Sequence, residues 1–160
     1  MDTDAKRMLE NMVFGGEVSS QTVAGGTVKV VRPDKDNKLT AELFVLQRGT
    51  HASKDYWLPA VGDQVLCIML PNFSGRGTCD GFVLGAFYSS VDAPPSGAGA
   101  SARVLDHPGD LTLNIGGTLT VNAGTFAVKG GGDIVASGIS LAGHVHGGVL
   151  PGGATTAGPQ

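Results

Sequence analysis

Two imidazoles set one residue apart, His144 and His146 in Gly143-His144-Val145-His146-Gly147-Gly148, are the side chains best suited to chemistry. On a strand, positions i and i+2 point to the same side about 6.6 Å apart, so both rings would face one way. Two nitrogen ligands are too few for a closed metal site. Three chains around one axis would present six, enough to fill an octahedron. Imidazole suits Zn, Cu, Fe and Ni; octahedral geometry argues against Zn and is compatible with Fe(II). The flanking glycines would let three backbones converge.

The upstream register sets a condition. If Ile139 and Leu141 point inward, strict alternation puts Val145 inward and both histidines outward. Metal binding therefore requires a register switch near Ala142-Gly143, where glycine permits a bulge or kink.

Other chemistry has less local support. No Gly-X-Ser-X-Gly elbow occurs, which argues against a hydrolase triad. A metal-dependent oxygenase or hydrolase built on His144 and His146 would need an open coordination position and usually a carboxylate. No acidic residue follows Asp133. The chain is expected not to be an enzyme. His51 and His107 lie in polar loops and are expected to face solvent, Asp133 is expected to be a solvated turn carboxylate, and Cys67 and Cys79 free thiols.

The histidines follow a glycine-rich ladder. Leu111-Thr-Leu-Asn-Ile115, Leu119-Thr-Val-Asn-Ala123, Phe126-Ala-Val128, Asp133-Ile-Val-Ala136 and Ile139-Ser-Leu141 are separated by glycines. Apolar and small polar residues alternate within each unit, which is the strand period. Strands this short have one apolar face each and too little area to fold alone. Wrapping three chains together would turn those faces inward and give every backbone edge a neighbour. An intertwined trimer is the expectation.

Composition separates this ladder from what precedes it. The chain has 26 glycines in 160 residues, against about 7% in an average protein. Only Arg103, Asp106, Asp110, Lys129 and Asp133 carry charge after residue 100. Asp92-Ala-Pro-Pro-Ser-Gly-Ala-Gly-Ala-Ser101 reads as a linker. Before it, a short helix is expected at about 4–12 and strands at Val28–Val31, Glu42–Gln47, Gln64–Leu70 and Gly81–Tyr88, with Asp34-Lys-Asp-Asn37 as a hairpin turn. A five-stranded oligonucleotide/oligosaccharide-binding (OB) type barrel has this size. Phe44, Phe82 and Phe87 read as core, and Tyr56 and Trp57 as a cover over it.

With 11 Lys and Arg against 14 Asp and Glu, net −3, the chain lacks the basic footprint of phosphate-backbone binding. No nucleic-acid partner is expected. No apolar run approaches the roughly 20 residues of a spanning helix, and no signal-like apolar core follows the N-terminal charges.

Three stretches together resemble the baseplate assembly protein V family, the central spike of contractile-tailed phages such as Mu. They are Asp55-Tyr-Trp-Leu-Pro-Ala-Val-Gly-Asp-Gln-Val65, Gly81-Phe-Val-Leu-Gly-Ala-Phe-Tyr88, and Gly138-Ile-Ser-Leu-Ala-Gly-His-Val-His-Gly-Gly-Val149 with the Gly/Pro-rich end to Gln160. The resemblance implies an all-β homotrimer: an OB-fold domain over 1–90, a linker over 91–103, an intertwined triangular β-helix over 104–142, and an apex with a fold-back tail over 143–160. It implies one iron ion (Fe2+) per trimer on His144 and His146, six histidines in all, with calcium and chloride in the shaft on unassigned ligands. It further implies a membrane-piercing part of the virion tail tip, assembled in the bacterial host cytoplasm. Its partners would be the baseplate hub, the tail tube and the host outer membrane. The spike of a related contractile secretion or injection machine is the alternative.

Overall fold

In the computed structural model the chain divides into two compact units, Met1–Pro108 and Gly109–Gln160. Residues 3–71 and 78–145 are described here, so His146 and the tail beyond it lie outside them.

The first unit opens with helix α1 (Thr3–Met12), which runs directly into strand β1 (Val13–Thr22). A turn of 3₁₀ helix leads to β2 (Thr27–Arg32), and a second, over Pro33–Lys35, leads to the short β3 (Lys38–Leu39). Then come β4 (Leu43–Val45), the two-residue strands β5 (Gly49–Thr50) and β6 (Lys54–Asp55), β7 (Gln64–Pro71) and β8 (Thr78–Ala86). β1 pairs antiparallel with β7 (Phe14 opposite Cys67) and also with β2 (Val18 opposite Val30). β7 pairs antiparallel with β8, β8 runs parallel to β4, and β4 pairs antiparallel with β2. The ring β1-β7-β8-β4-β2-β1 is thus a closed five-stranded barrel, with β3 attached to β2. Closure leaves none of the five main strands with an open edge for unintended pairing.

Alternation builds the interior. Phe14 and Val18 from β1, Val28 and Val30 from β2, Leu43 and Val45 from β4, Val65 and Cys67 from β7 and Val83 from β8 form the buried cluster, with Leu58 and Met69 packed against it. β1 carries little of the usual strand signal, because Val-Phe-Gly-Gly-Glu-Val-Ser-Ser-Gln-Thr is glycine-bearing and polar. Its signal is the inward triplet Phe14, Gly16, Val18 at period two. Gly16 is required there, since a Cβ would collide with the Val30 side chain and the Val31 carbonyl oxygen.

The hairpin turn between β2 and β3 forms where expected. Asp36 and Asn37 take the left-handed conformation (φ 54° and 57°), which Asx residues tolerate best after glycine. Beside the turn, the Arg32 guanidinium stacks 3.9 Å over the Phe14 ring and bonds Asp34 through both Nε (3.1 Å) and Nη2 (2.6 Å). That fork holds the Asp34 carboxyl below the usual carboxylate range.

The aromatic expectations need correction. Phe44 and Phe87 are 49% and 45% exposed, and Phe82 is half-buried beside Phe44, their ring centroids 5.9 Å apart. Phe44 sits between inward Leu43 and Val45, and Phe82 between inward Gly81 and Val83, so the strand period sends both rings outward. Tyr56 and Trp57 are 55% and 37% exposed. The Tyr56 hydroxyl donates to the Val23 carbonyl (2.8 Å), and the Trp57 backbone is clasped by the Gln47 amide at 2.8 and 3.0 Å. Cys67 is a buried free thiol, its pKa pushed up to about 11 by burial; the Cys79 side chain lies outside the description.

In the second unit the described residues hold one ladder, the hairpin of β9 (Val135–Ala136) and β10 (Ile139–Ser140). Ser137 and Gly138 both have positive φ (50° and 81°), the requirement of a two-residue type I′ turn. Between 109 and 134 no residue is in a strand or buried. The expected strand units are there as sequence, but within one chain they have no neighbours to pair with.

Candidate metal centre

The hairpin positions the first histidine. The Leu141 N–H donates to the Ile134 carbonyl (2.8 Å), and Asp133 Oδ1 accepts from the N–H groups of Ile134 (2.7 Å) and Ala142 (3.0 Å). A hydrogen bond from Ser140 and these backbone bonds keep the exposed Asp133 carboxyl below its ordinary pKa. Its work is to tie the two ends of the hairpin together. The sign was available in sequence: an Asp just ahead of Ile-Val-Ala-Ser-Gly-Ile-Ser, where Asx side chains commonly bond nearby backbone.

After β10 the chain turns rather than continuing as a strand. The Gly143 N–H donates to Ser140 Oγ (2.7 Å) and the His144 N–H to the Ser140 carbonyl (3.2 Å). This turn over Leu141–Gly143 breaks the alternation, so the facing of Ile139 no longer dictates that of His144. The His144 ring is exposed, with Nδ1 2.9 Å from the Ser140 carbonyl oxygen. A carbonyl accepts only, so Nδ1 is the donor in this contact. His146, the other predicted ligand, lies outside the described residues.

One chain does not complete a site. Among the described residues no group of three or more His, Cys, Asp or Glu is placed to hold a metal ion. What the chain supplies is an exposed imidazole just past a hairpin, a ligand type that suits iron among other transition metals. His51 and His107 are exposed elsewhere, in the first unit. In that unit a cleft of about 500 Å³ is lined by Tyr88, Ala93, Pro95, Val104, Leu105, Asp106 and Pro108, whose only carboxylate is that of Asp106.

One unit holds a closed β-barrel, and the other a glycine-rich segment with a hairpin followed by His144. Residues 138–160 match the family model of the GpV Apex motif, the apex motif of the phage baseplate assembly protein V spike. The match begins inside the β9–β10 turn and takes in both histidines. It suggests a phage tail spike protein and implies a component of the virion tail. The family is structural, which fits a protein that is not an enzyme. No curated protein matches the chain.

Proposed function

We propose that the chain is the trimeric central spike of a contractile phage tail, capping the tail tube and perforating the host outer membrane. The observation that carries this is the apex motif at 138–160, placed directly after a segment that cannot bury its own apolar residues. Leu111, Leu113, Leu119, Val121 and Phe126 are all 59–68% exposed in the single chain. Spaced at the strand period and divided by glycines, they suit an intertwined triangular β-helix over 104–142, in which three copies supply one another's neighbours.

In this reading the barrel is an OB-type domain over 1–90 that docks on the baseplate hub and tail tube, and 91–103 links it to the shaft. Three chains meeting at the tip bring together His144 and His146 from each, six imidazoles for one iron ion. That ion would pin chain ends that otherwise fray. Stiffness is what piercing requires, and continuous backbone pairing around a closed apolar interior supplies it.

Sedimentation with elemental analysis, on protein purified without a histidine tag, tests the proposal. The expected result is a trimer that resists dilution and holds one iron per three chains. His144→Ala combined with His146→Ala should release the iron. Because ligating imidazoles must be deprotonated, acid should also release it, starting no higher than the ordinary histidine value of about 6.5. A stable monomer, or iron retained in the double variant, would overturn the assignment.

A further inference from the structure

The outside of the barrel has two unlike sides. Along β1 and β2 the outward positions include Glu17, Ser20 and Lys29, and Lys29 Nζ lies 3.8 Å from Glu42. Across β7, β8 and β4 most outward positions are apolar, with Gln64 at the start of β7 and Asp80, two residues before Phe82 in β8, at the margins. The registers Val13–Ile68, Ile68–Phe82 and Phe82–Phe44 set one apolar row across four strands. Leu66, Leu84 and Leu46 form a second, and the Leu46 N–H bonds the Val83 carbonyl at 3.1 Å to carry it past the end of β4. Gln64–Pro71 and Leu43–Val45 contain no charged residue, and β8 contains one, Asp80, ahead of the apolar run Gly81–Ala86.

Exposure on this wall is large for a soluble surface. Val13 is 53% exposed, Phe44 49%, Leu46 47%, Leu84 43% and Leu66 40%. With Phe82 they leave on the order of 500 Å² of contiguous apolar surface in water, near the upper end for a monomer. A stable interface takes about 800 Å² from each partner, and obligate contacts between copies of one chain are the most apolar.

We propose that this wall is a barrel-to-barrel interface between copies of this chain. The inference rests on the trimeric reading above and adds to it a contact that the shaft and apex do not require. Three features favour another copy over a different protein. The wall's two apolar rows carry no charge, and the one charged outward position of β8, Asp80, lies beyond them at the margin. The wall's area falls short of an independent interface but suffices between tethered neighbours, since a short linker holds them at about millimolar effective concentration. And a wall of this width, turned toward a threefold axis, divides between two neighbours, the β4 side of one barrel meeting the β1–β7 side of the next. That is the heterologous contact that closes a ring.

Photo-cross-linking of the full-length chain tests this. A benzophenone amino acid replaces Phe44 in one preparation and Ser20, on the polar side, in another. Both are exposed, so neither substitution disturbs the core. Sedimentation of each preparation precedes illumination. The expected result is a trimer in which position 44 gives about tenfold more interchain product than position 20, since only packed side chains lie within reach of the excited ring. Mass spectrometry should place the new bond at Val13 or Ile68 of another copy. A trimer that yields no interchain product from position 44, or equal product from both positions, overturns the interface alone and leaves the wall to a different protein. A monomer overturns the trimeric reading and the interface with it.

Discussion

The barrel and the glycine-rich segment use the same strand period and reach opposite outcomes. In β1, β2, β4, β7 and β8, alternate residues such as Val18, Val28, Leu43, Val65 and Val83 fall to 1% exposure or less. Between 109 and 134 the alternate residues stay in water. The difference is neighbours. In the barrel, turns return β2 to β1, β4 to β2 and β8 to β7, and the long-range pairings β1–β7 and β4–β8 close these into a ring. The glycine-separated units are three to five residues long, and each would need a strand from outside the chain to complete its face. Alternation marks which side of a strand seeks burial. It does not say whose side chains will provide it.

Substitutions at matched positions sharpen this contrast. Leu43→Ala, in the barrel interior, should cost about 2–5 kcal/mol as lost transfer energy plus a cavity, read from the barrel's urea transition. Leu113→Ala, 62% exposed in the single chain, should stay within about 0.5 kcal/mol if the segment remains solvated. In the proposed trimer it should approach the barrel value and raise the dissociation of the assembly. A neutral Leu113→Ala in a protein that sediments as a trimer would break the comparison.

A smaller effect is expected at the hairpin. Gly138 has φ 81°, a conformation costing a side-chain-bearing residue about 1–2 kcal/mol, so Gly138→Ala should destabilise β9–β10 by that amount. Hydrogen exchange at the Leu141 and His144 amides would report it, while the barrel amides stay unchanged.

The smallest concerns acid. Asp34 titrates lower in the folded chain than unfolded, because Arg32 bonds its charged form. Its contribution is therefore complete above the unfolded value of about 3.9 and disappears as pH falls through the lower folded value. The carboxylate is half exposed and screened by water, so Asp34→Asn should cost under about 1 kcal/mol at neutral pH. Stability measured below pH 4 should converge for the two proteins. A difference persisting at pH 2 would show that the contact does not depend on charge.

How far the fold could be read in advance varied with how a strand announces itself. β2, β4, β7 and β8 carry Val, Leu, Ile and Phe in continuous or alternating runs, and they formed close to where those runs lie. β1 was hidden because one of its three inward positions is Gly16, whose lack of a side chain is an adaptation to the Val31 backbone and cannot be recognised without that neighbour. The aromatics misled for a related reason. Phe44 and Phe82 sit within apolar runs, yet a closed barrel this small fills with valines, and one residue of register decides which side a ring takes.

At the apex, residue types alone pointed to imidazole donors, to glycine at the turns and to an apolar period awaiting partners. These follow from side-chain chemistry and from the steric freedom of single residues, which a linear chain displays directly. Tertiary structure decided the ring closure, the outward facing of Phe44, the stacking of Arg32 on Phe14, and the Ser140 carbonyl that meets the His144 ring. Each depends on the distance between groups after the backbone has turned back on itself, and that distance is a property of the folded path rather than of residue order.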